Sequence, residues 1–495
     1  MTTTKGHSVP IVTVTLAIDA RHGIGHNAGV MKDFQCESLS HDPVHGYIPF
    51  VSDVGLAAGE VSERRIIDDP WVQRLRQIHQ LQTAWWVFPS AEHTRFQHVL
   101  GAMHLASRAV AALYDSLKEV CPEVPSRGYV ESLLRMAALL HDVGHGPFGH
   151  FFDDQFLKHH GLTHETLGAV IIRDRLGDLL RGVRRNPNSR LADDEQLDPE
   201  QIAMLIVRPK GDADDAPRWL QLLRSLLSGI YTVDNMDFVL RDAYMSGYSQ
   251  RAFDLDRLLR YSFFSEAGLT LHHKGLDALI RFMSARAELF RTVYFHRTVR
   301  SIDLTLRDLF GRSKDFLFPG NPLDDLDAYQ QFTEWSLLVD VARWPESDDP
   351  EKKDLGQQWA RLFRREVPWR MACQRNILFD AGDSQRASIF NSDEDITRAL
   401  RRELPDDLAE TQLRVDLARH VHRPDTRGPA AGQNFLYDPA YDRRQPLSSD
   451  QLYRRLPASH HICRVYTLDD QHDAQITAAL DRLIGPGGRD DLTNM

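Results

Sequence analysis

His141 and Asp142 stand side by side at the end of an apolar run, Ala137-Ala138-Leu139-Leu140. A glycine-rich turn follows and brings two more imidazoles, His145 and His150. A ring nitrogen beside a carboxylate can hold a divalent metal, and histidines next to it can protonate a leaving group. Two ligands do not close a metal shell, so the doublet asks for partners elsewhere in the chain. His98 sits in Thr94-Arg95-Phe96-Gln97-His98, where Thr94 is placed to cap a helix and the imidazole falls one turn in. Asp234 lies in Val233-Asp234-Asn235-Met236-Asp237-Phe238-Val239-Leu240, a carboxylate in an apolar run that is costly to bury unless paired or metal-bound. His98, His141, Asp142 and Asp234 together give two nitrogens and two oxygens from three helices, with positions left for water and substrate. Such a mixed set suits Fe, Mn, Zn or Mg. Taken singly, His98 reads as a hydrogen-bonded core histidine and Asp234 as a carboxylate paired with Arg241; the set, in its order and with its flanks, points to metal.

These residues need helices to carry them, and the chain has the pattern. Apolar residues recur at three- and four-residue spacing over 96–114, 130–141, 219–245 and 276–310, which predicts a helical domain in the middle of the chain. Residues 9–18 alternate with β-branched types and predict a strand. The stretch 186–217 reads as a loop excursion around one short helix. Phe318-Pro319-Gly320-Asn321-Pro322 breaks the helical pattern and sets a boundary near 312–325. Beyond it, 325–378 reads as helical, 412–422, 434–438 and 462–468 as short strands, 423–449 as a long loop, and the tail from Gly485 as disordered. The expected fold is mainly α, a helical core with a smaller α+β C-terminal lobe and a short N-terminal β segment. Its domains are an N-terminal extension at 1–40, a helical domain at 41–311 that carries the doublet, the lobe at 312–485 and a tail at 486–495.

Composition narrows the function classes. With 495 residues, 42% hydrophobic and 26% charged, the chain can bury a large core. A net charge of −11 argues against a nucleic-acid coat, though not against local basic pockets. Only nine of the 59 basic residues are Lys; an arginine bias suits bidentate phosphate binding, and genomic composition accounts for most of it. Cys36, Cys121, Cys373 and Cys463 form no CxxC pair and read as reduced core residues. No apolar run reaches the roughly 20 residues that span a bilayer. With no signal peptide in the first residues, the expected location is the cytoplasm, without membrane association.

Several segments carry a resemblance. They are Asp42-Pro43-Val44-His45-Gly46-Tyr47-Ile48, Gln73 to Leu81, Val87-Phe88-Pro89, His93 to His98, His141 to His150, Thr163-His164-Glu165 and Val233-Asp234. In these the chain resembles the HD-domain deoxynucleoside triphosphate (dNTP) triphosphohydrolases, vertebrate and bacterial, strongly over 40–310 and more weakly to about 480. The resemblance implies hydrolysis of a dNTP, dGTP foremost, to deoxynucleoside and inorganic triphosphate. It makes His98, His141, Asp142 and Asp234 metal ligands, with a second Mg accompanying the triphosphate as a further option. His150 is the implied proton donor to the 5′-oxygen, with His164 oriented by Asp153 or touching phosphate. The phosphate clamp draws on Arg95, His145, His164 and Arg286, and sugar and base recognition falls to Gln80, Leu81, Asp242 and Tyr294. Without the doublet nearby, His145 and His150 read as turn and packing residues.

Two positions depart from the vertebrate pattern. Asn235 stands where a phosphate-contacting Lys is found, and Phe238 keeps the ring of a sugar-facing Tyr without its hydroxyl. The family also implies a nucleotide effector at subunit contacts and a homo-oligomer, dimer or tetramer. Asp68, Gln73 and Arg76 match base-reading residues there, and Arg257, Lys274 and Arg297 match basic ones, whereas Ser38 and Thr292 do not match. The bland reading of Asp68 and Arg76 is a local ion pair. Two rival readings stand beside the dNTPase: a phosphohydrolase of nucleoside monophosphates or signalling nucleotides, motivated by Asn235, and a sensing or nucleic-acid-binding module with a vestigial metal site. dNTP turnover would lower cellular dNTP pools, a use that extends to antiviral defence.

Overall fold

Apolar side chains at helical spacing need a common interior, and the longest such run builds the centre of the molecule. The computed structural model describes residues 36–207, 216–379, 392–421, 434–454, 456–457 and 459–486. The strand expected at 9–18 and most of the tail lie outside the described residues. Helix α1 (Arg95–Val120) begins where the Gln97 side chain accepts from the Thr94 amide at 2.7 Å. It packs along α2 (Arg127–Leu140), which Ser126 caps by accepting from the Tyr129 amide. The remaining site helices are α3 (His150–Gln155), α4 (His164–Asp174), α5 (Val233–Met245), α6 (Leu276–Leu289) and α7 (Arg297–Leu317). No helix among the described residues is long and apolar enough to cross a membrane.

Two of the predicted helices are broken. The 219–245 stretch forms Arg218–Arg224 and then α5, because Thr232 turns extended and caps the second helix from the Asn235 amide at 2.9 Å. The 276–310 stretch is interrupted by one wide helical turn, Phe290–Tyr294, before His296 caps α7. Wide turns of this kind often mark functional positions, and this one presents Tyr294. A short helix, Pro199–Ile206, sits within the predicted 186–217 excursion.

Among the described residues nine strands form three small sheets. β1 (Glu37–Asp42) and β2 (Gly46–Val51) make an antiparallel hairpin. β3 (Ser262–Ser265), β4 (Gly268–His272), β7 (Asn434–Asp438) and β8 (Arg443–Pro446) lie side by side, β4 and β7 parallel. β5 (Arg370–Phe379), β9 (Ser459–Thr467) and β6 (Leu413–Val421) form the third, with β9 central. The β5 segment corrects the helical reading of 325–378: helices cover Leu326–Gln331, Glu334–Arg343 and Pro350–Phe363, but 370–379 is a bulged strand, its pairing with β9 outweighing local pattern. The expected 423–449 loop likewise contains the β7–β8 hairpin.

Two hydrophobic cores result. The larger runs from Ile48 to Tyr453 and takes in α1, α2, α5, α6 and α7 together with Tyr329, Trp344, Trp359 and Leu436. The smaller one lies under β5, β6 and β9 and the helices Asp393–Glu403 and Asp473–Ile484. Residue 312 therefore falls inside α7, and the helices of 326–363 belong to the larger core. All four cysteines are buried and free.

Candidate metal centre

The helices bring His98, His141 and Asp234 together, with Asp142 beside His141. His98 projects from the first turns of α1, His141 ends α2, Asp142 follows it, and Asp234 sits in the first turn of α5. His98 Nε2 lies 3.2 Å from Asp234 Oδ1 and 3.3 Å from His141 Nε2, and His141 Nε2 is 3.4 Å from Asp142 Oδ1. The other ring nitrogens are committed. His141 Nδ1 donates to the Ala138 carbonyl at 2.8 Å, and His98 Nδ1 donates to Asp237 Oδ2 at 2.8 Å. In neutral imidazoles both Nε2 lone pairs then face each other and two carboxylates, an arrangement that calls for a cation. His98, His141 and Asp234 each offer a ligand atom within 4.8 Å of the others. The donor set fits a divalent metal.

Electrostatics carry the same demand. Burial works against charge on His98, but its hydrogen bonds to the Asp234 and Asp237 carboxylates overcome it and raise the imidazole to about 10. Asp142 and Asp234 are held low: burial opposes their charge, and His141, helped at Asp142 by Arg95, outweighs it. In the metal-free chain a proton on His98 thus supplies the positive charge. Because a metal needs the neutral ring, uptake of Mn2+ or Zn2+ should expel that proton, and affinity should climb with pH until about 10 and then level off. Calorimetric titrations at pH 8 in buffers of different ionisation heat should show about one proton released per cation; heats independent of the buffer would refute the prediction.

Asp237, one turn after Asp234, is a site residue that sequence reading passed over. It is fully buried, and it accepts from His98 and from both Nε and Nη2 of Arg241 at 2.9 Å. Arg241 therefore pairs with Asp237 and Asp42, not with Asp234. The spacing of Asp234 and Asp237, three apart on one helix face, was the available signal.

Behind the doublet the turn is tightly determined. A Cβ at Gly144 would meet the His164 carbonyl at 2.1 Å, and Gly149, at φ +57°, has Arg95 Nη2 where its side chain would be. Arg74 donates to the His145 carbonyl at 2.7 Å and to the Phe332 carbonyl at 2.7 Å, and Tyr329 donates to the Gly144 carbonyl at 2.8 Å. Buried Arg74 and Tyr329 thus fasten the turn to the helix at 326–331.

The turn, α3 and the start of α4 deliver a second cluster: His145, His150, Asp153 and His164. Asp153 Oδ2 accepts from His164 Nδ1 at 2.5 Å and lies 3.5 Å from His150 Nδ1. His145 stacks on His164 with centroids 3.7 Å apart, and its Nε2 is 3.3 Å from Asp142 Oδ1 without hydrogen-bond geometry. Asp153 is held far below the usual carboxylate range, burial being overcome by His145, His150 and His164. His150 alone is exposed, its side chain 72% accessible.

Around these groups lie buried polar atoms without a hydrogen-bond partner among the described residues: Arg95 Nε, Arg286 Nε, Gln80 Oε1, both nitrogens of His145 and Asp153 Oδ1. Such orphans are rare unless a ligand or water completes them. Arg95 donates to Asp142 Oδ2 at 2.7 Å. Burial pushes the Arg286 guanidinium down, with Asp234 and Tyr294 acting the other way. Asp242 accepts from Tyr294 at 2.5 Å and from His93 at 2.7 Å. Leu81 is buried in the core, with half-buried Phe238 packed against it, and Asn235 is half-buried in the first turn of α5.

The residues matched to an effector site do not meet in one chain. Asp68 pairs with Arg64, not with Arg76; Arg76 donates to Gln73 and covers the Phe96 ring. Arg257 donates to the Lys274 carbonyl, and Arg297 lines a separate cavity with Arg365 and Trp369.

Comparisons place this geometry among known proteins. The HD domain model matches residues 95–206. Human deoxynucleoside triphosphate triphosphohydrolase SAMHD1 is 26% identical over 471 residues, covering 86% of this chain and 70% of that protein. The Bos taurus protein of the same name is 27% identical over 402 residues, covering 73% of this chain and 62% of its own length. An uncharacterised Bacillus subtilis protein, YwfO, is 28% identical over 345 residues, 64% of this chain and 69% of its own. The crystal structure of a hypothetical Aquifex aeolicus protein shares the fold at a TM-score of 0.64 and 23% identity, covering 90% of this chain and all of that one. The doublet and its turn lie within the segment that matches the HD domain, and the chain is similar to deoxynucleoside triphosphate triphosphohydrolases along most of its length.

Proposed function

We propose that this protein hydrolyses deoxynucleoside triphosphates, dGTP preferred, to deoxynucleoside and inorganic triphosphate. The observation that carries the reading is the convergence of His98, His141, Asp142 and Asp234 beside the His145–His150–Asp153–His164 cluster, rimmed by unpaired donors of Arg95 and Arg286. When bound, a divalent cation, Fe, Mn, Zn or Mg, supplies Lewis-acid polarisation of a phosphoryl oxygen. In the reaction water adds to the α-phosphorus, the bond from phosphorus to the 5′-oxygen breaks, and that oxygen needs a proton. His150, exposed and within reach of Asp153, donates it, while Asp153 fixes His164 to face the phosphates with His145. Arg95 and Arg286 meet phosphate oxygens, Asp242 with Tyr294 receives the 3′-hydroxyl, and Gln80, Leu81 and Phe238 border the sugar and base. A guanine or other nucleotide at Asp68, Gln73, Arg76, Arg257, Lys274 and Arg297 regulates a homo-oligomer in this reading; their separation within one chain is what a site shared between subunits requires.

Incubating the chain with each dNTP, alone and with each other nucleotide, and separating products by anion exchange tests substrate, products and regulation together. Intact triphosphate is the expected product. Phosphate from monophosphates with no triphosphate release would instead support the second reading, which Asn235 favours because it leaves the clamp one cation short. His150→Ala should lower kcat by about 10²–10⁴-fold while metal uptake is unchanged; an unaltered kcat would remove His150 from the role of acid.

A further inference from the structure

The hairpin β1–β2 reaches the metal centre through one side chain. At its turn, His45 donates from Nε2 to Asp237 Oδ1 at 2.7 Å, and both groups are buried. That bond completes the carboxylate. Oδ1 accepts His45 and Arg241 Nη2, and Oδ2 accepts His98 Nδ1 and Arg241 Nε, so four donors fill the four lone-pair positions. A carboxylate satisfied on every side cannot rotate without losing a bond in a buried place.

The ring of contacts closes on itself. Asp42, the last residue of β1, accepts the backbone amides of Val44 and His45 on Oδ1 and Arg241 Nη1 on Oδ2 at 2.7 Å. The hairpin turn, the α5 guanidinium and the α5 carboxylate therefore hold one another, and His98 is the only member that faces the metal side. Gly101, one turn along α1 from His98, leaves the space: a Cβ there would lie 1.9 Å from Asp237 Oδ1. This close approach of α1 and α5 is built around the carboxylate.

We propose that His45 is a positioning residue for the metal centre, fixing through Asp237 the ring plane and tautomer of His98, and so setting the affinity of the site for its cation. The inference rests on the metal reading of His98. Outer hydrogen-bond partners of metal-bound histidines typically govern 10–100-fold in metal affinity. A role confined to pinning the hairpin would change stability and leave the metal spectrum and affinity alone.

Cobalt is the probe, because its absorption reports ligand geometry. Co2+ titrations of the full chain should give a ligand-field spectrum for wild type, weaker binding by 10–100-fold with a changed spectrum for His45→Leu, and partial recovery for His45→Gln, whose amide can still donate. Equal affinity and identical spectra in the folded variants would overturn the proposal. No Co2+ binding by wild type would instead remove the metal reading beneath it. Should both variants fail to fold, wild type with 15N-labelled histidine decides: Zn2+ must shift the His45 Nε2–H resonance, and an unmoved signal overturns the proposal.

Discussion

An Asp142→Asn chain should remain folded, lose its divalent metal and show no measurable dNTP turnover. The substitution keeps the side-chain volume and a carbonyl oxygen for Arg95 Nη1, which Asp142 Oδ2 meets at 2.7 Å. It removes the charge that faces His141 Nε2 and His145 Nε2. Because outer partners of metal ligands already command 10–100-fold, loss of a ligand charge should weaken metal binding by at least about 10²-fold. Asparagine is a sharper test than alanine. Both changes remove the counter-ion of buried Arg95, but alanine would also remove its hydrogen-bond acceptor and would confound metal loss with unfolding. Metal content after dialysis, the dNTP panel and circular dichroism on one preparation check the outcome; wild-type metal content with wild-type turnover would rule Asp142 out.

Arg135→Met should be the most destabilising single change away from the site, by about 3–5 kcal/mol. Arg135 is fully buried. It donates to Glu63 through Nε at 2.6 Å and Nη2 at 2.7 Å, to Ser107 at 2.7 Å and to the Pro49 carbonyl at 3.1 Å. Glu63 in turn accepts the Val51 amide at 3.0 Å. One guanidinium therefore joins α2, α1 and the hairpin. Removing it strands a buried carboxylate, whereas Glu63→Gln in the same chain removes the stranded charge and should recover part of the loss. Urea midpoints of the single and double variants measure both; a single variant within 1 kcal/mol of wild type would contradict the argument.

Much of the site was legible because it is local. The doublet, its glycine turn, the capped entry to α1 and the acidic start of α5 are short patterns whose chemistry follows from spacing. The groups that hold them were not. Arg74 acts on the turn from 71 residues away and Tyr329 from 185, and an arginine or tyrosine in a helical pattern carries no mark of such a task. Asp237 was passed over beside Asp234, because its task is to hold His98 and Arg241, contacts made only in the fold. The β5 segment was misread because nothing in Arg370–Phe379 alternates cleanly; its conformation comes from β9, some 90 residues later. The 312 boundary followed a proline-glycine break that proved to be the end of one helix inside a continuing core.

The order in which the two hydrophobic cores are visited has its own consequence. The chain fills the larger core up to Phe363, enters the smaller at β5, returns to the larger with β7, β8 and Tyr453, and leaves again for β9. Neither core is a contiguous length of polypeptide. A chain ended at 311 would strip the larger core of Tyr329, Trp344, Trp359 and Leu436, and β9, which holds the smaller sheet together, cannot peel away without pulling on the segment that carries β7. The two lobes should therefore melt as one cooperative unit.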